Sequence, residues 1–216
     1  MEQSKINSAF QVKEKTKYTK WKVRGDKCLS VLALFLLAPI FFLIAALIKI
    51  SNWKAPMLFK QVRVGKNGQP FVMYKFRTMR PDAEAELEKY LKQNEIEGAM
   101  FKMKKDPRVT KIGRLLRKTS LDELPQIWNV LKGDMSLIGP RPPLPREVAV
   151  YSTYDKQRLL VTPGCTGLWQ VSGRNTLSFE EMVELDLHYI RHLSWQLDFK
   201  IFLKTFVVLL IPKGVY

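Results

Sequence analysis

The hydropathy pattern is dominated by one stretch, Cys28 to Ile48 (CLSVLALFLLAPIFFLIAALI), which carries no charge. As a straight helix it measures about 31 Å, close to a hydrocarbon core of about 30 Å. A signal-peptide core spans about 7–15 residues and leads to a small-residue cleavage site; this run is longer and leads to Lys49 and Trp53. A soluble core helix of this length needs a larger domain around it. The pattern predicts a membrane-inserted helix.

Beyond it the period changes. Residues 57–64 (MLFKQVRV) and 71–78 (FVMYKFRT) read as two strands, and GKNGQP between them carries an Asn-Gly turn signal, so a hairpin is expected. Side chains alternate along a strand, which puts Phe71, Met73, Lys75 and Arg77 on one face, with two cations at one end of it. Residues 82–98 read as a helix that is acidic at its start and stops at Gly98. Shorter helices are expected over 109–118, 122–132, 144–160 and 178–193. The C-terminal LDFKIFLKTFVVLLIPKG is short for a membrane span; it either lies flat in the interface or packs on the core. The fold class expected is α+β and mainly helical: an N-terminal membrane helix, a small β-hairpin and several amphipathic or interfacial helices.

Charge changes the picture of the membrane helix. The formal net charge is +16, which points to anionic partners. Nucleic acid has no use for the apolar run, so the anionic surface expected is that of membrane lipids. Lys5, Lys13, Lys15, Lys17, Lys20, Lys22, Arg24 and Lys27 precede the run, and Lys49, Lys54, Lys60, Arg63 and Lys66 follow it. Cytoplasmic flanks attract Lys and Arg, so a simple crossing strands one basic flank on the wrong side. Pro39, mid-run, removes a helical bond to the Phe35 carbonyl and kinks or breaks the helix. Basic flanks and a proline together predict a re-entrant helix that leaves both ends on one face.

Candidate chemistry centres on TSLDELPQIWNVLKGDMSLIGPRPP, residues 119–143. Asp122 and Glu123 fit a helix cap, and Ser120-Leu-Asp-Glu123 has the capping-box pattern. Pro125 argues against Ser120 as the N-cap, because its ring then crowds the Leu121 carbonyl. With the cap at Leu121 or Asp122, Pro125 falls in the first turn, where N–H groups are free anyway. Both carboxylates then sit at an exposed helix mouth beside Arg117 and Lys118. Lys132-Gly133 ends that helix. In Gly139-Pro-Arg-Pro142 the prolines stiffen the backbone around Arg141, whose guanidinium suits bidentate phosphate binding; the alternative is a rigid turn with a solvated Arg. Carboxylates amid Lys75, Arg77 and Arg141 suggest phosphoryl chemistry, one acid holding a divalent cation and the other attacking phosphorus.

Other motifs carry less. His188 and His192 have metal-binding spacing but no third ligand is evident in the sequence, and a polar helix face is the favoured reading. Cys28 and Cys165 suggest neither a metal site nor a disulfide framework. The Gly-rich loop PGCTGLWQVSGR (163–174), ending in Arg174, either approaches a ligand or is an ordinary turn, and Trp169 is open to several roles.

Three motifs in order, KFRTM (75–79), the DELPQ–N–L–GDMSLIGPRP block (122–142) and PGCTGLWQVSGR (163–174), resemble the bacterial sugar transferases, monotopic phosphoglycosyl transferases. The resemblance runs from about Trp21 to the C-terminus. It implies transfer of a sugar 1-phosphate, commonly of glucose or galactose, from a UDP-sugar donor to undecaprenyl phosphate, with UMP leaving. The reaction would start exopolysaccharide or capsule repeat-unit synthesis. The resemblance also implies that Asp122 is the nucleophile, that Glu123 binds Mg²⁺, and that Lys75, Arg77, Arg141 and Gln126 contact phosphate or substrate. It places the active site on the cytosolic face of the bacterial cytoplasmic membrane, in a protein that can form a homodimer. The organisation expected is a disordered basic arm over 1–20, a re-entrant membrane helix over 21–54 and a cytosol-facing catalytic domain over 55–216. The preceding four-helix region and extra domain of many members are not in the sequence, which suggests a minimal form. Ala38 stands where the family often has Ser before the helix-breaking proline. Two other readings compete: a membrane-anchored glycosyl transferase that releases a nucleoside diphosphate, and a non-catalytic basic adaptor.

Overall fold

A computed structural model describes residues 16–90, 103, 106–173 and 176–210. The first element, α1, runs from Thr16 to Ser51. Among the described residues it is the one helix long and apolar enough to cross a membrane, and only 11% of its most apolar window is buried. That removes the core-helix alternative: Phe35, Leu36, Phe42 and Leu43 face outward with no protein against them. The helix starts inside the stretch expected to be a loose arm; residues 1–15 lie outside the described residues. Pro39 sits within α1, and helical structure continues on both sides. The break expected there is absent as a break in secondary structure, because a proline forfeits one backbone bond while the flanking turns keep theirs.

The hairpin forms as read. β1 (Leu58–Val64) pairs antiparallel with β2 (Pro70–Phe76), Phe59 opposite Lys75 and Val64 opposite Pro70. Its turn uses the Asn-Gly pair: Asn67 and Gly68 both take positive φ, 56° and 78°. Arg77 falls one residue past β2.

The helix expected over 82–98 is reduced, in its described part, to a single turn, α2 (Leu87–Tyr90); residues 91–98 lie outside the described residues. α3 (Lys111–Lys118) follows, with the Thr110 hydroxyl accepting from Gly113 N. A 3₁₀ turn over Leu121–Glu123 leads into α4 (Gln126–Lys132), which Gly133 ends at φ 92°. β3 (Ser136–Ile138) comes next. The helix expected over 144–160 splits into α5 (Pro145–Ala149) and a 3₁₀ turn over Asp155–Leu160. Asp155 causes part of that split: its carboxylate accepts from the Ser152 amide and hydroxyl, a local alternative to helical bonding. β4 (Gly164–Thr166) pairs parallel with β3, a contact the hydropathy pattern did not announce. α6 (Phe179–Arg191) starts at a Ser178–Glu181 capping box, and α7 (Trp195–Leu210) ends the described chain.

One core cluster joins β3, α6 and α7 through Ile138, Val183, Leu187, Ile190 and Ile201. A second sets Ile44 and Ile48 of α1 against Phe76 and Leu116, and a third packs Met73 on Val130 and Met135. Of the alternatives for the C-terminal segment, packing on the core is the one observed. α7 buries Asp198 and Ile201 against the core and exposes Trp195, Phe199, Phe202 and Phe206.

The N-terminal half of α1 is fixed by a polar cluster. Asp198 accepts hydrogen bonds from Tyr18 (2.6 Å), Lys22 (2.6 Å) and Tyr189 (2.8 Å). Asp26 lies 3.6 Å from Lys22 and accepts from the Ser136 hydroxyl and the Leu137 amide. Lys22 is thus a buried partner rather than a solvated flank charge.

Candidate active site

The proline after the two acids decides their geometry. Pro125 lacks an N–H, so the chain takes a tighter 3₁₀ step first: Glu123 N donates to Ser120 O, and Leu124 N to Leu121 O. Pro125 then becomes the N-cap of α4. Ser120 makes no side-chain cap and takes a left-handed φ of 56°, so the capping box is not formed. This shifts the start of the regular helix to Gln126 and leaves Asp122 and Glu123 on a short turn between α3 and α4.

The turn brings the acids to the hairpin. Lys75 Nζ donates to Glu123 Oε1 at 2.6 Å, with the two side chains 18% and 33% exposed. Asp122 is only 8% exposed. Burial pushes its carboxyl up to about 6; Lys75 and Arg117 oppose the shift and Glu123 adds to it. Burial works against the Glu123 carboxylate too, but Lys75, Arg141 and Arg63 outweigh it and hold its pKa low. Two adjacent acids are therefore driven apart, a pattern typical of functional sites.

Asp122 opens onto a cleft of about 710 Å³ whose walls carry Arg63, Lys75, Arg77, Arg117, Arg141 and Arg146. Lys75, Arg63 and Arg141 also line a small recess on the other side, with Glu123, Gln126 and Cys165. Arg63, Lys75 and Arg141 thus line both the cleft of Asp122 and the recess of Glu123. Gln126 is buried behind Glu123 and does not line the large cleft. Arg77 lines the cleft with Phe59: its Nε donates to Pro56 O at 2.9 Å, and its guanidinium lies over the Phe59 ring.

Arg141 is held by its surroundings. Gly139 N donates to Thr166 O and Gly164 N to Pro140 O, which binds the Gly-Pro-Arg-Pro turn to the Gly-rich loop. Gly164 permits this approach, since a Cβ there would stand 2.0 Å from Gly139 N. From the hairpin side, Arg63 Nη1 donates to Pro142 O at 2.9 Å while Nε and Nη2 hold Gln61 Oε1. Burial and the nearby Arg141 both lower the Arg63 pKa. Arg63 is the site residue that sequence reading missed; the available signal was its alternation with Gln61 on one strand face, where it had been counted only as flank charge. Arg117 anchors the far wall, its Nε donating to Thr78 Oγ1 at 2.9 Å.

Trp169 also lines the cleft, buried, and its indole N–H has no partner among the described residues. Arg174 lies outside the described residues. His188 and His192 stack on each other at 4.2 Å between ring centroids, away from the cleft lining. Cys28 and Cys165 are free thiols.

The arrangement is a buried carboxylate at the mouth of a strongly cationic cleft, beside a second, ionised carboxylate. It suits an anionic phosphate substrate attacked by, or held at, an acid. Sequence comparison agrees in kind. The chain is 53% identical to the galactosyl transferase CpsE of Streptococcus agalactiae over 160 residues, covering 74% of this chain and 36% of that protein. It is 40% identical to the exopolysaccharide production protein ExoY of Sinorhizobium fredii over 195 residues, 88% of this chain and 86% of that one. It is likewise 40% identical to the undecaprenyl-phosphate galactose phosphotransferase of Salmonella typhimurium, covering 88% of this chain and 40% of that protein. The chain thus spans well under half of two of these relatives and most of the third. The family model for bacterial sugar transferases matches residues 17–212, α1, the hairpin and both halves of the cleft included, and the chain belongs to that family.

Proposed function

We propose that this chain is a phosphoglycosyl transferase that moves a sugar 1-phosphate from a UDP-sugar to undecaprenyl phosphate, releasing UMP, at the cytosolic face of the membrane. The observation that carries the reading is the buried Asp122, beside the Lys75–Glu123 pair, opening onto a cleft lined by arginines. The relatives named for galactose phosphotransfer and exopolysaccharide production support the substrate class, and with it a place at the start of exopolysaccharide or capsule repeat-unit synthesis.

In this mechanism the Asp122 carboxylate attacks the sugar-bearing phosphorus. A bond forms between Asp122 oxygen and that phosphorus, and the bond from that phosphorus to the bridging oxygen breaks. UMP leaves with the bridging oxygen and its electron pair. A phosphate oxygen of the lipid then attacks the same phosphorus, and the bond to Asp122 breaks, restoring the carboxylate. Lys75, Arg63 and Arg141 hold the diphosphate and offset its charge as the bridge opens. Gln126 lines the recess beside Glu123 and Arg141, within reach of a bound substrate group there.

Mg²⁺ fits the donor chemistry present. Glu123, partly exposed and ionised, would hold the ion, and the neighbouring Asp122 carboxylate would be a second oxygen donor. Mg²⁺ commonly takes one or two carboxylates and completes its shell with water and phosphate oxygens. When bound it would neutralise charge on the diphosphate.

The membrane helix is read as re-entrant. Ser30 and Ile44 of α1 are both buried, 0% and 3% exposed, in a helix whose outward face between them is bare. They are about 21 Å apart along a helix, too close to admit a hydrocarbon core of about 30 Å. A body that packs on α1 at both points stands on one side of the membrane, and the apolar middle dips into one leaflet.

The test is nucleotide release in nanodiscs containing undecaprenyl phosphate, with a panel of UDP-sugars, with and without a chelator, beside an Asp122→Ala control. UMP from one donor, lost in the control, supports the reading. UDP instead of UMP assigns the chain to sugar transfer without phosphate. No release from any donor favours an adaptor.

A further inference from the structure

A second cavity, of about 180 Å³, lies at the C-terminal end of α1 and meets the large cleft at one wall. Its floor is the end of the membrane helix, Ile48 and Ser51, with Asn52 and Ala55 of the following turn. Its far wall is Arg77, Met79, Arg80 and Pro81, the same four residues that line the large cleft. The volume is below the roughly 300–1,000 Å³ of pockets that enclose whole ligands, yet holds several water molecules' worth of space. It suits a phosphate group, not a nucleotide.

The depth of this cavity in the membrane is marked by its neighbours. Ile50 and Trp53 are 81% and 79% exposed, and Lys49 donates to Trp53 O at 2.8 Å with its ammonium over the indole. An exposed Trp with Lys at the end of an apolar run is the pattern of the headgroup region. The cavity therefore opens at the level where a lipid phosphate sits.

Its charge is one-sided. None of the described residues lining it is acidic. Arg80 is engaged by Glu86 at 2.7 Å. Arg77 has a backbone carbonyl and an aromatic ring as partners and no carboxylate among the described residues. A guanidinium fixed at headgroup depth without a counter-charge is suited to a phosphate monoester.

We infer that this smaller cavity seats the phosphate of the acceptor lipid, with Arg77 as its counter-charge, while the large cleft takes the soluble donor. The assignment rests on the transferase reading above and divides the cations of that site between two substrates. The lipid cannot rise out of the membrane, so its phosphate is gathered at the membrane end of α1 and meets the phosphorylated intermediate across the Arg77–Pro81 wall.

The experiment uses full-length protein in nanodiscs and separates the two half-reactions. Exchange of labelled UMP into the UDP-sugar, without acceptor, reads the donor side alone. Steady-state kinetics read KM for undecaprenyl phosphate and for the UDP-sugar separately. Two variants are compared: Arg77→Met, which removes the counter-charge, and Ser51→Trp, at an exposed position, which fills the cavity from the membrane side. The expected result is a KM for the lipid raised about tenfold or more in both, with donor KM and UMP exchange moved by less than about threefold, the span left when no charge-assisted contact is lost. Arg77→Met raising the donor KM in parallel, or abolishing exchange, overturns the assignment and gives Arg77 to the donor. An unchanged lipid KM in both variants overturns it as well. Silence of the unaltered protein with every donor is a different outcome, because it removes the transferase reading itself and this assignment with it.

Discussion

Lys75 on the hairpin and Glu123 on the turn before α4 share a 2.6 Å hydrogen bond between ammonium and carboxylate. This one contact ties β2 to the acidic turn, and Lys75 also faces the cleft into which Asp122 opens. Lys75→Met leaves Glu123 without its nearest counter-charge and removes a cation from the diphosphate. Turnover should fall by about 10²–10³-fold, the range for loss of one preorganised electrostatic contact. Because Lys75 and Glu123 act as a pair, the Lys75→Met/Glu123→Gln double variant should lose much less than the product of the two single losses. A strictly multiplicative result in single-turnover assays would separate their roles.

Asp122 sets a pH dependence. Its attack requires the ionised form, and burial, opposed by Lys75 and Arg117, puts its pKa at about 6. Single-turnover phosphosugar transfer to the enzyme should therefore be flat above that value and fall as pH drops through about 6. The linkage to stability has the opposite sense. A folded-state pKa raised above the unfolded value of about 3.9 contributes stability below that value, which is lost as pH rises through the folded pKa. At neutral pH the ionised, buried Asp122 is a burden on the fold. Asp122→Asn should abolish turnover while leaving the fold as stable as before or more stable, by on the order of 1 kcal/mol. A melting temperature lowered by several degrees would show that the carboxylate is chiefly structural.

Much of the hairpin and of the acidic turn was legible in the sequence. Periodicity placed the hairpin, and the Asn-Gly pair placed its turn, because positive φ at two successive residues is a local demand that few residue types meet. Pro125 correctly excluded a Ser120 capping box, but the cap expected at Leu121 or Asp122 is Pro125 itself, after a 3₁₀ step that depends on how Leu121 and Leu124 pack on α1 and the hairpin. Arg63 was missed for a related reason: a strand arginine looks solvated until a distant carbonyl, here Pro142 O, is brought to it by the fold. The β3–β4 pair was illegible because each strand is three residues long and the pairing is non-local. Lys22 was read as a membrane-flank charge because its partner, Asp198, lies near the other end of the chain.

The Asp198 cluster predicts a stability effect far from the chemistry. Asp198 accepts from Tyr18, Lys22 and Tyr189, and its side chain is 10% exposed. Asp198→Ala strands a buried ammonium and two hydroxyls at once, and removal of one member of a buried charged pair costs about 3–5 kcal/mol. Thermal unfolding in nanodiscs should show that loss, and limited proteolysis should cut first within residues 16–27, the part of α1 the cluster fixes. Equal protection of that segment in the variant would mean that apolar packing alone holds it.

Gly164 offers a sharper test of how Arg141 is positioned. A methyl group there would stand 2.0 Å from Gly139 N and 2.6 Å from the Ile138 carbonyl carbon, both backbone atoms, so the two loops must separate. Gly164→Ala should loosen the Gly-Pro-Arg-Pro turn and raise the donor KM by about tenfold or more, as expected when a bidentate phosphate contact is misplaced. Gly25→Ala, at a position with nothing within 4 Å, is the matched control and should be silent. Equal donor KM in the two variants would show that Arg141 reaches the phosphate without support from the Gly-rich loop.

Re-entry of α1 predicts where its two ends lie. Gly25 and Trp53 flank the apolar middle, and Trp53 is exposed. Single cysteines at each position, in a background with Cys28→Ser and Cys165→Ser, should both react with an impermeant maleimide in inside-out vesicles. Neither should react in intact right-side-out spheroplasts. A spanning helix gives the opposite pattern, one end labelled in each preparation, because about 30 Å of hydrocarbon then lies between them. That outcome would also detach Ser30 or Ile44 from the body on which both are buried, since a single cytosolic domain cannot pack on α1 from both faces of the bilayer.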